Sequence, residues 1–161
     1  MRLLLQRVTR AAVTVDGDVV GQIGPGLLAL AGFGQGDTLA LPGGRVWTAL
    51  CAKVLDMRIF PDDVGKMNLS LKETGGGLLL VSQFTLYADT RRGRRPSFTT
   101  AAPPDVALEL YDRLAADLAA ALSAAGPGAF AQGVLGAEML LDFVNWGPVT
   151  ILLDSAVGFA V

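Results

Sequence analysis

Residues 78–87 constrain the fold more than any other stretch, because they begin as a buried strand and end in polar side chains. They follow the glycine turn 75–77, and their first half is a continuous apolar run, which is typical of a strand buried on both faces. Side chains alternate across a strand, so Gln83 and Thr85 would share one face. Burying such groups without partners costs roughly 2–7 kcal/mol each. We therefore expect either a strand end whose polar side chains are simply solvated, or a site that uses them.

The chain contains no histidine and a single cysteine, Cys51. This composition excludes Ser-His triads, histidine general bases, and zinc sites built on histidine or on several thiolates. Cys51 lies on the apolar stripe of a predicted helix, so we interpret it as a small buried hydrophobic residue rather than a nucleophile. Any chemistry must use backbone amides, hydroxyls, carboxylates, Gln, Arg or groups of the substrate, and we expect no cofactor and no bound metal.

The length of 161 residues and the hydrophobic content of 52% predict one domain, residues 1–161, with a single core. Two amphipathic helices are predicted, one at 45–56 and one that opens at 103–105 and stops at 126–128, with Leu108 on its core stripe. Besides residues 78–87, short strands are predicted at 2–9, 11–15, 19–23, 27–33, 58–60, 66–72, 139–144 and 149–153, the second and third joined by a turn at Asp16 and Gly17. Such elements predict an α+β fold, with an antiparallel sheet or an open β-barrel-like core and two main helices.

Near the start of the chain, Arg2 is followed by only three leucines before Gln6 and Arg7. This apolar run is too short for a signal peptide or a membrane span, so we expect a cytoplasmic protein with no membrane partner. Arg7 stands among apolar neighbours in a predicted strand. It is either a rim residue whose stem packs while its guanidinium reaches water, or a contact to a substrate.

A dense positive segment follows the polar strand end, with four arginines in five positions: Arg91, Arg92, Arg94 and Arg95. The net charge of −2 argues against a generally basic nucleic-acid binder, but it leaves room for a local basic patch. Arginines so placed can hold phosphates by charge-assisted hydrogen bonds. The alternative is a run of charges that is merely exposed to solvent.

Two motifs stand together in this chain, Ser-Gln-Phe-Thr-Leu at 82–86 and Asn-Trp-Gly-Pro-Val-Thr at 145–150. With them, the chain resembles the D-aminoacyl-tRNA deacylases of the bacterial and eukaryotic type. The segments 6–8, 65–70 and 88–98 carry the same resemblance, which spans nearly the whole chain.

The resemblance implies a homodimer that hydrolyses the ester between a D-amino acid and the terminal adenosine of tRNA, and that also accepts glycyl-tRNA. In the family, a Gly-Pro pair with a cis peptide bond enters the partner's pocket and excludes L-amino acids sterically. By position this pair is Gly147 and Pro148. Without the resemblance a trans bond in a turn would be expected there, because only about 5–6% of X-Pro bonds are cis.

The resemblance also assigns the site residues. The catalytic segment, which lines the pocket for the adenosine ribose and the ester, would be Ser82, Gln83, Phe84 and Thr85. The substrate-binding residues would be Arg7, Met139, Asn145, Gly147, Pro148 and Thr150. The tRNA phosphates would be held by Arg91, Arg92, Arg94 and Arg95.

The chain departs from the family pattern in three places. Trp146 stands where Asp is common, residues 134–136 have no phenylalanine before the glycine, and loop 34–44 is unusually rich in glycine. These departures concern the pocket rim and the tRNA preference rather than the reaction.

Ester hydrolysis needs an oriented water and donors for the developing oxyanion, and the backbone amides near Phe84 and Thr85 are candidates. In a chain without histidine, the substrate's own ribose hydroxyl would assist the water. The alternative makes Thr85 a nucleophile, but no base is apparent to activate it; the spacing of Glu138 and Asp142 need not bring either to the site. Two other functions stay open: a non-catalytic RNA-binding module that uses the arginines, and a structural dimerisation domain.

Overall fold

One long strand organises the fold. In a computed structural model, which describes residues 1–157, β1 (Arg2–Val15) runs without the predicted break in its middle. It continues because it changes partners: on one side its first half pairs with β3 (Gly26–Gly32) and its second half with β2 (Asp18–Ile23). On its other side it pairs with β8 (Leu140–Asp154).

The remaining strands are β4 (Phe60–Pro61), β5 (Met67–Leu69), β6 (Gly77–Ser82) and β7 (Phe130–Gln132). The helices are α1 (Arg45–Asp56), α2 (Leu71–Thr74) and α3 (Pro104–Ala125), with two short 3₁₀ helices at Phe84–Tyr87 and Ser155–Val157. The two main helices lie where the sequence predicted them. Within residues 1–157, no helix is long and apolar enough to cross a membrane. The end of the predicted domain, 158–161, lies outside the described residues.

The sheet is mixed, which corrects one detail of the expected topology. Its strand order is β2-β1-β3-β6-β7, with β8 on the opposite edge of β1. The pairs that involve β1 are antiparallel, whereas β3–β6 and β6–β7 are parallel. The sheet nearly closes into a barrel: Gly21 on β2 lies so near β7 that an added Cβ would stand 3.0 Å from the carbonyl oxygen of Gln132. The fold is α+β with an open-barrel core, as predicted.

Two apolar clusters lie on opposite faces of the sheet. The larger one packs the helices against one face, through residues such as Leu5, Trp47 and Leu114. The smaller one lies on the other face, around Val13 and Leu28. Because β3 and β6 contribute to both clusters, these two strands are buried on both faces, as continuous apolar runs predict.

Local sequence signals were right at the first hairpin and partly wrong in the helices and short strands. The turn at Asp16 and Gly17 has positive φ at both residues, 50° and 90°, as the hairpin signal requires. Leu108, by contrast, is 45% exposed, and Leu110 is buried in its place, because the buried leucines of α3 recur at every fourth position. The predicted strand 66–72 divides into β5 and α2, since Ser70 caps α2 in a reciprocal box with the third residue of the helix.

The last two predicted strands are one strand, β8, with a bulge. Gln6 pairs with Thr150 and Val8 pairs with Asn145, so residues 146–149 stand opposite Arg7 alone. We call these four residues the β8 bulge. A bulge suits a proline, which has no N–H to give to a ladder. The turn that the sequence predicted between two strands is therefore an excursion within a single strand.

Candidate active site

The polar end of the central strand is a turn rather than a continuation of the strand. β6 ends at Ser82, and Gln83 leaves the regular strand conformation with φ −147° and ψ 81°. A 3₁₀ helix follows at once, and we call residues 83–87 the β6 turn. The expectation that Gln83 and Thr85 share a strand face is therefore wrong. The ladder between β6 and β3 stops at Ser82 because β3 also ends there.

The β6 turn presents two backbone donors. The amides of Phe84 and Thr85 are the first two of the 3₁₀ helix, so the helix itself offers them no carbonyl. Neither amide donates a hydrogen bond to any group in residues 1–157. The side chain of Thr85 is exposed, and its Oγ1 accepts a hydrogen bond from Gln83 Nε2 at 2.5 Å. An amide cannot take the proton of that hydroxyl, so this contact does not activate Thr85 as a nucleophile.

Two cavities meet at the β6 turn, and Ser82, Gln83 and Phe84 line both of them. The larger cavity has a volume of about 420 Å³ and lies against β3 and the start of α3. The smaller one has a volume of about 240 Å³ and includes Met139, one of the predicted substrate-binding residues. Three of the four residues of the predicted catalytic segment thus line both spaces, whereas Thr85 lines neither.

An aromatic pair stands at the larger cavity. The rings of Phe84 and Phe98 meet edge to face with their centroids 5.0 Å apart, and both line this cavity. The two residues are nevertheless 56% and 37% exposed, so their rings remain available to a ligand. Sequence reasoning did not assign Phe98 to the site. The only signal was its place in the segment 88–98, which carries part of the family resemblance.

The ends of the β8 bulge are tied together by side chains. Asn145 Oδ1 accepts a hydrogen bond from the amide of Val149 at 3.2 Å, and its Nδ2 donates to Thr150 Oγ1 at 3.0 Å. Gln6 Nε2 donates to the same threonine oxygen at 3.4 Å. Within one chain, hydrogen bonds of the Asn145 and Thr150 side chains therefore tie the two ends of the bulge together.

Gly147 and Pro148 form the exposed tip of the bulge and are joined by a cis peptide bond. Gly147 has a φ of +125°, a value that side chains rarely adopt. A Cβ at this position would stand 2.7 Å from Arg7 Nη2 and 2.9 Å from Val149 Cγ2. Both the conformation and the space at position 147 therefore require glycine.

Arg7 lies beneath the bulge and is only 7% exposed, so its interpretation as a rim residue with a solvated head is wrong. Its Nε donates to the carbonyl oxygen of Trp146 at 3.0 Å, and its Nη1 donates to that of Ile59 at 2.5 Å. Burial lowers the pKa of Arg7. The guanidinium forms no ion pair with a carboxylate in residues 1–157, and its carbon lies 4.4 Å from the centroid of the Trp146 ring.

The structure divides the predicted site residues into two groups. Ser82, Gln83, Phe84, Thr85 and Met139 lie at the β6 turn and its cavities. Arg7, Asn145, Gly147, Pro148 and Thr150 lie at the β8 bulge. No hydrogen bond or aromatic contact joins the two groups within residues 1–157.

The predicted arginine loop (residues 90–96) is closed at its base by Asp89 and Ser97, whose backbones exchange two hydrogen bonds at 2.7 and 2.9 Å. Arg91 contacts both carboxylate oxygens of Asp89, at 2.8 and 2.6 Å. These bonds lower the pKa of Asp89 to about 2. The ion pair fixes one arginine against the base of the loop.

The rest of the loop offers unpaired positive charge. Three exposed arginines form no ion pair within residues 1–157: Arg92, Arg94 and Arg95. A cavity of about 440 Å³ lies at the base of the loop, beside Asp89 and Ser97. The loop can therefore receive an anion without first breaking an ion pair of these three arginines.

The model of the D-Tyr-tRNA(Tyr) deacylase family matches residues 4–154. The chain belongs to this family. Two relatives named D-aminoacyl-tRNA deacylase, from Nitratidesulfovibrio vulgaris strain DP4 and Solidesulfovibrio magneticus, are 58% and 59% identical to this family member over 156 residues. The alignments cover 97% of this chain and 94% and 96% of the relatives. The resemblance read from the two motifs is confirmed, and this family member is an enzyme, a hydrolase of the deacylase class.

Two solved structures share the fold. One, described as "c-Myc DNA Unwinding Element Binding Protein", superposes with a TM-score of 0.83 at 34% identity and covers 96% of this chain and 98% of its own. The other, a probable eukaryotic D-amino acid tRNA deacylase, has a TM-score of 0.78 at 22% identity and covers 94% and 97%. At that identity the second structure supports the fold alone.

Proposed function

We propose that this family member hydrolyses D-aminoacyl-tRNA to a free D-amino acid and tRNA, and that it hydrolyses glycyl-tRNA as well. The observation that carries the proposal is the pair of free amides of Phe84 and Thr85, at a turn that two cavities share. Membership of the deacylase family supports the same reaction.

In the proposed reaction, a water oxygen attacks the ester carbonyl carbon and the carbonyl oxygen gains negative charge. The amides of Phe84 and Thr85 donate hydrogen bonds to that oxyanion, in the manner of an oxyanion hole. When the intermediate collapses, the bond from the carbonyl carbon to the ribose oxygen breaks. The proton that the water loses passes through the neighbouring ribose hydroxyl to the leaving ribose oxygen, so a side-chain base is not needed.

The larger cavity is the proposed site for the terminal adenosine. Its volume of about 420 Å³ falls in the range of small-molecule sites, about 300–1,000 Å³. The exposed rings of Phe84 and Phe98 offer π faces to a nucleobase. With the base there, the ester would lie beside Ser82 and the β6 turn, within reach of the two amides.

Chiral selection is proposed to come from a second copy of the chain. Gly147 and Pro148 are exposed at the tip of the β8 bulge and do not reach the cavities of their own subunit. In a homodimer the tip would enter the partner's pocket and occupy the space that an L side chain needs. A D side chain points elsewhere and glycine has no side chain, so both esters would be accepted.

The arginine loop is proposed to hold tRNA phosphates. Arg92, Arg94 and Arg95 are exposed and free of ion pairs among the described residues, and they follow the segment that would hold the ester. Because the net charge of the chain is −2, the loop is a local positive patch that would attract phosphates, rather than part of a generally basic surface.

The amide of Phe84 can be tested directly, because position 84 is the first of a helix and follows Gln83, whose backbone angles lie outside the α region that a following proline disfavours. Phe84→Pro removes both the ring and the N–H, whereas the matched control Phe84→Ala removes only the ring. With D-aminoacyl-tRNA, the proline variant should lose about 10²–10³ in kcat relative to the alanine variant, as expected for one oxyanion donor. Equal kcat values for the two folded variants would contradict the oxyanion role.

The function as a whole is tested with purified protein and tRNA charged with a D-amino acid, an L-amino acid or glycine. The D- and glycyl-esters should be released over many turnovers, while the L-ester stays intact beyond its spontaneous hydrolysis. Binding of tRNA without release of any amino acid would instead favour an RNA-binding module.

A further inference from the structure

We infer that Trp146 is a positioning residue for chiral selection, which fixes the tip of the β8 bulge by holding the Arg7 guanidinium between its ring and the backbone. This inference rests on the proposed role of Gly147 and Pro148. It concerns the residue that directly precedes Gly147 in the β8 bulge.

The first observation is the environment of the Arg7 charge. Arg7 is 7% exposed and forms no ion pair with a carboxylate in the described residues. Its partners are two carbonyl oxygens and the face of the Trp146 ring, 4.4 Å from the guanidinium carbon to the ring centroid. A guanidinium over an indole face is attracted by the ring quadrupole, and the attraction grows where water is excluded. Trp146 therefore offsets part of the cost of burying the Arg7 guanidinium without a carboxylate.

The second observation is that the Trp146 ring also contacts a buried ring of β4, that of Phe60. Its ring meets the ring of Phe60 at an angle of 63° with centroids 6.5 Å apart, and Phe60 is buried at 2% exposure. The neighbouring carbonyl of Ile59 accepts the hydrogen bond from Arg7 Nη1. The indole and the guanidinium are thus both anchored to the short segment around β4, which does not belong to β8.

The third observation links this stack to the tip. Trp146 precedes Gly147 directly, and its carbonyl oxygen accepts from Arg7 Nε at 3.0 Å. Arg7 Nη2 lies so near Gly147 that an added Cβ would be 2.7 Å away. Any shift of the guanidinium therefore changes the space beneath the tip. A steric filter for one chirality needs its wall fixed to within about half an ångström, and the stack of Arg7, Trp146 and Phe60 supplies that support.

The test uses Trp146→Phe and Trp146→Leu as a matched pair, because both keep apolar bulk and only phenylalanine keeps a π face for Arg7. The measured quantity is the ratio of kcat/KM for D-aminoacyl-tRNA to kcat/KM for L-aminoacyl-tRNA. We expect the leucine variant to lose about tenfold or more of this ratio, mainly through faster L-ester hydrolysis, and the phenylalanine variant to stay within about threefold of the native value. Trp146→Ala should resemble the leucine variant.

Trp47→Phe is the control for loss of a tryptophan. Trp47 is buried in the larger apolar cluster, and its indole N–H donates a hydrogen bond to Asp117. Its replacement should therefore lower Tm without changing the D/L ratio. In that background Trp146 is the sole tryptophan, and Arg7→Met should increase quenching of its fluorescence by acrylamide.

The outcomes separate this inference from the proposed function. A native D/L ratio in folded Trp146→Leu protein, or equal loss in the leucine and phenylalanine variants, would overturn the positioning role while leaving the reaction intact. Unchanged fluorescence quenching in the arginine variant would overturn the stack itself. A native protein without D-ester activity would instead overturn the proposed function.

Discussion

At position 147, alanine in place of glycine is expected to disturb the β8 bulge without unfolding the sheet. The φ of +125° disfavours any side chain, at a cost of about 1–3 kcal/mol. The new Cβ would also press on Arg7 Nη2, and the guanidinium cannot move away easily because its Nε and Nη1 donate hydrogen bonds to carbonyl oxygens. Gly147→Ala should therefore lower Tm modestly and raise L-ester hydrolysis relative to D-ester hydrolysis. Gly17→Ala is the matched control, because Gly17 also has a positive φ, 90°, but an added Cβ there meets no atom within 4 Å and Gly17 lines neither cavity at the β6 turn. Equal effects of the two substitutions on the D/L ratio would contradict the role of the tip.

At position 85, valine in place of threonine separates the two mechanisms that the sequence left open. If Thr85 only lines the pocket and donates its backbone amide, Thr85→Val keeps the amide and should retain measurable turnover of D-aminoacyl-tRNA. No acyl-enzyme should accumulate in native protein on rapid quench, since the only side-chain partner of the Thr85 hydroxyl in residues 1–157 is Gln83 Nε2. An ester-linked adduct on Thr85, detected by mass spectrometry, would establish nucleophilic catalysis instead.

Among the structural elements, the arginine loop makes a prediction about salt. Replacing Arg92, Arg94 and Arg95 together by alanine should weaken tRNA binding and reduce the slope of log K against log salt by about 0.7–0.9 for each phosphate that the loop no longer neutralises. The triple lysine variant is the control, because it keeps the charge and should keep most of the slope. A slope unchanged by the alanine variant would mean that the loop is only a solvated surface.

Two strands show which parts of the fold and of the site the sequence could predict. β6 was identified from its apolar run, and the helices from their apolar stripes, because burial imposes those patterns directly. Periodicity did not reveal that the strand stops at Ser82, since an exposed 3₁₀ turn and a polar strand end have similar compositions. It also divided β8 at residues 145–148, because a bulge stabilised by a side chain on another strand, Arg7, leaves no local signal.

The site was predicted from sequence in its residues but not in its arrangement. The two motifs marked the β6 turn and the β8 bulge through family resemblance, yet nothing local showed that one chain keeps them apart. The stack of Arg7, Trp146 and Phe60 joins three distant segments, and so only tertiary structure could disclose it.

At the scale of the whole molecule, the proposed homodimer predicts complementation between subunits, because the site residues of one chain fall into two separate groups. A dimer purified from one Phe84→Pro chain and one Gly147→Ala chain, each with a different tag, would contain one site with an intact turn and the tip of the other subunit. Such a heterodimer should recover roughly half of the native D-ester activity with the native D/L ratio, because a symmetric dimer has two equivalent sites. If the tip acted within its own subunit, the recovered activity would be unselective, since the only working turn would lie beside a damaged tip.

The pairing of β1 with β8 also bears on when the chain can fold during its synthesis. Arg2 and Asp154 are joined by an ion pair across 152 residues of sequence, and the whole strand between Arg2 and Thr14 depends on partners in β8. A nascent chain on the ribosome therefore holds β1 with one edge open until β8 has emerged from the exit tunnel. At about 5–20 residues per second, that interval lasts on the order of ten seconds or more. During it, the exposed edge of β1 is a natural target for chaperones that shield unpaired strands.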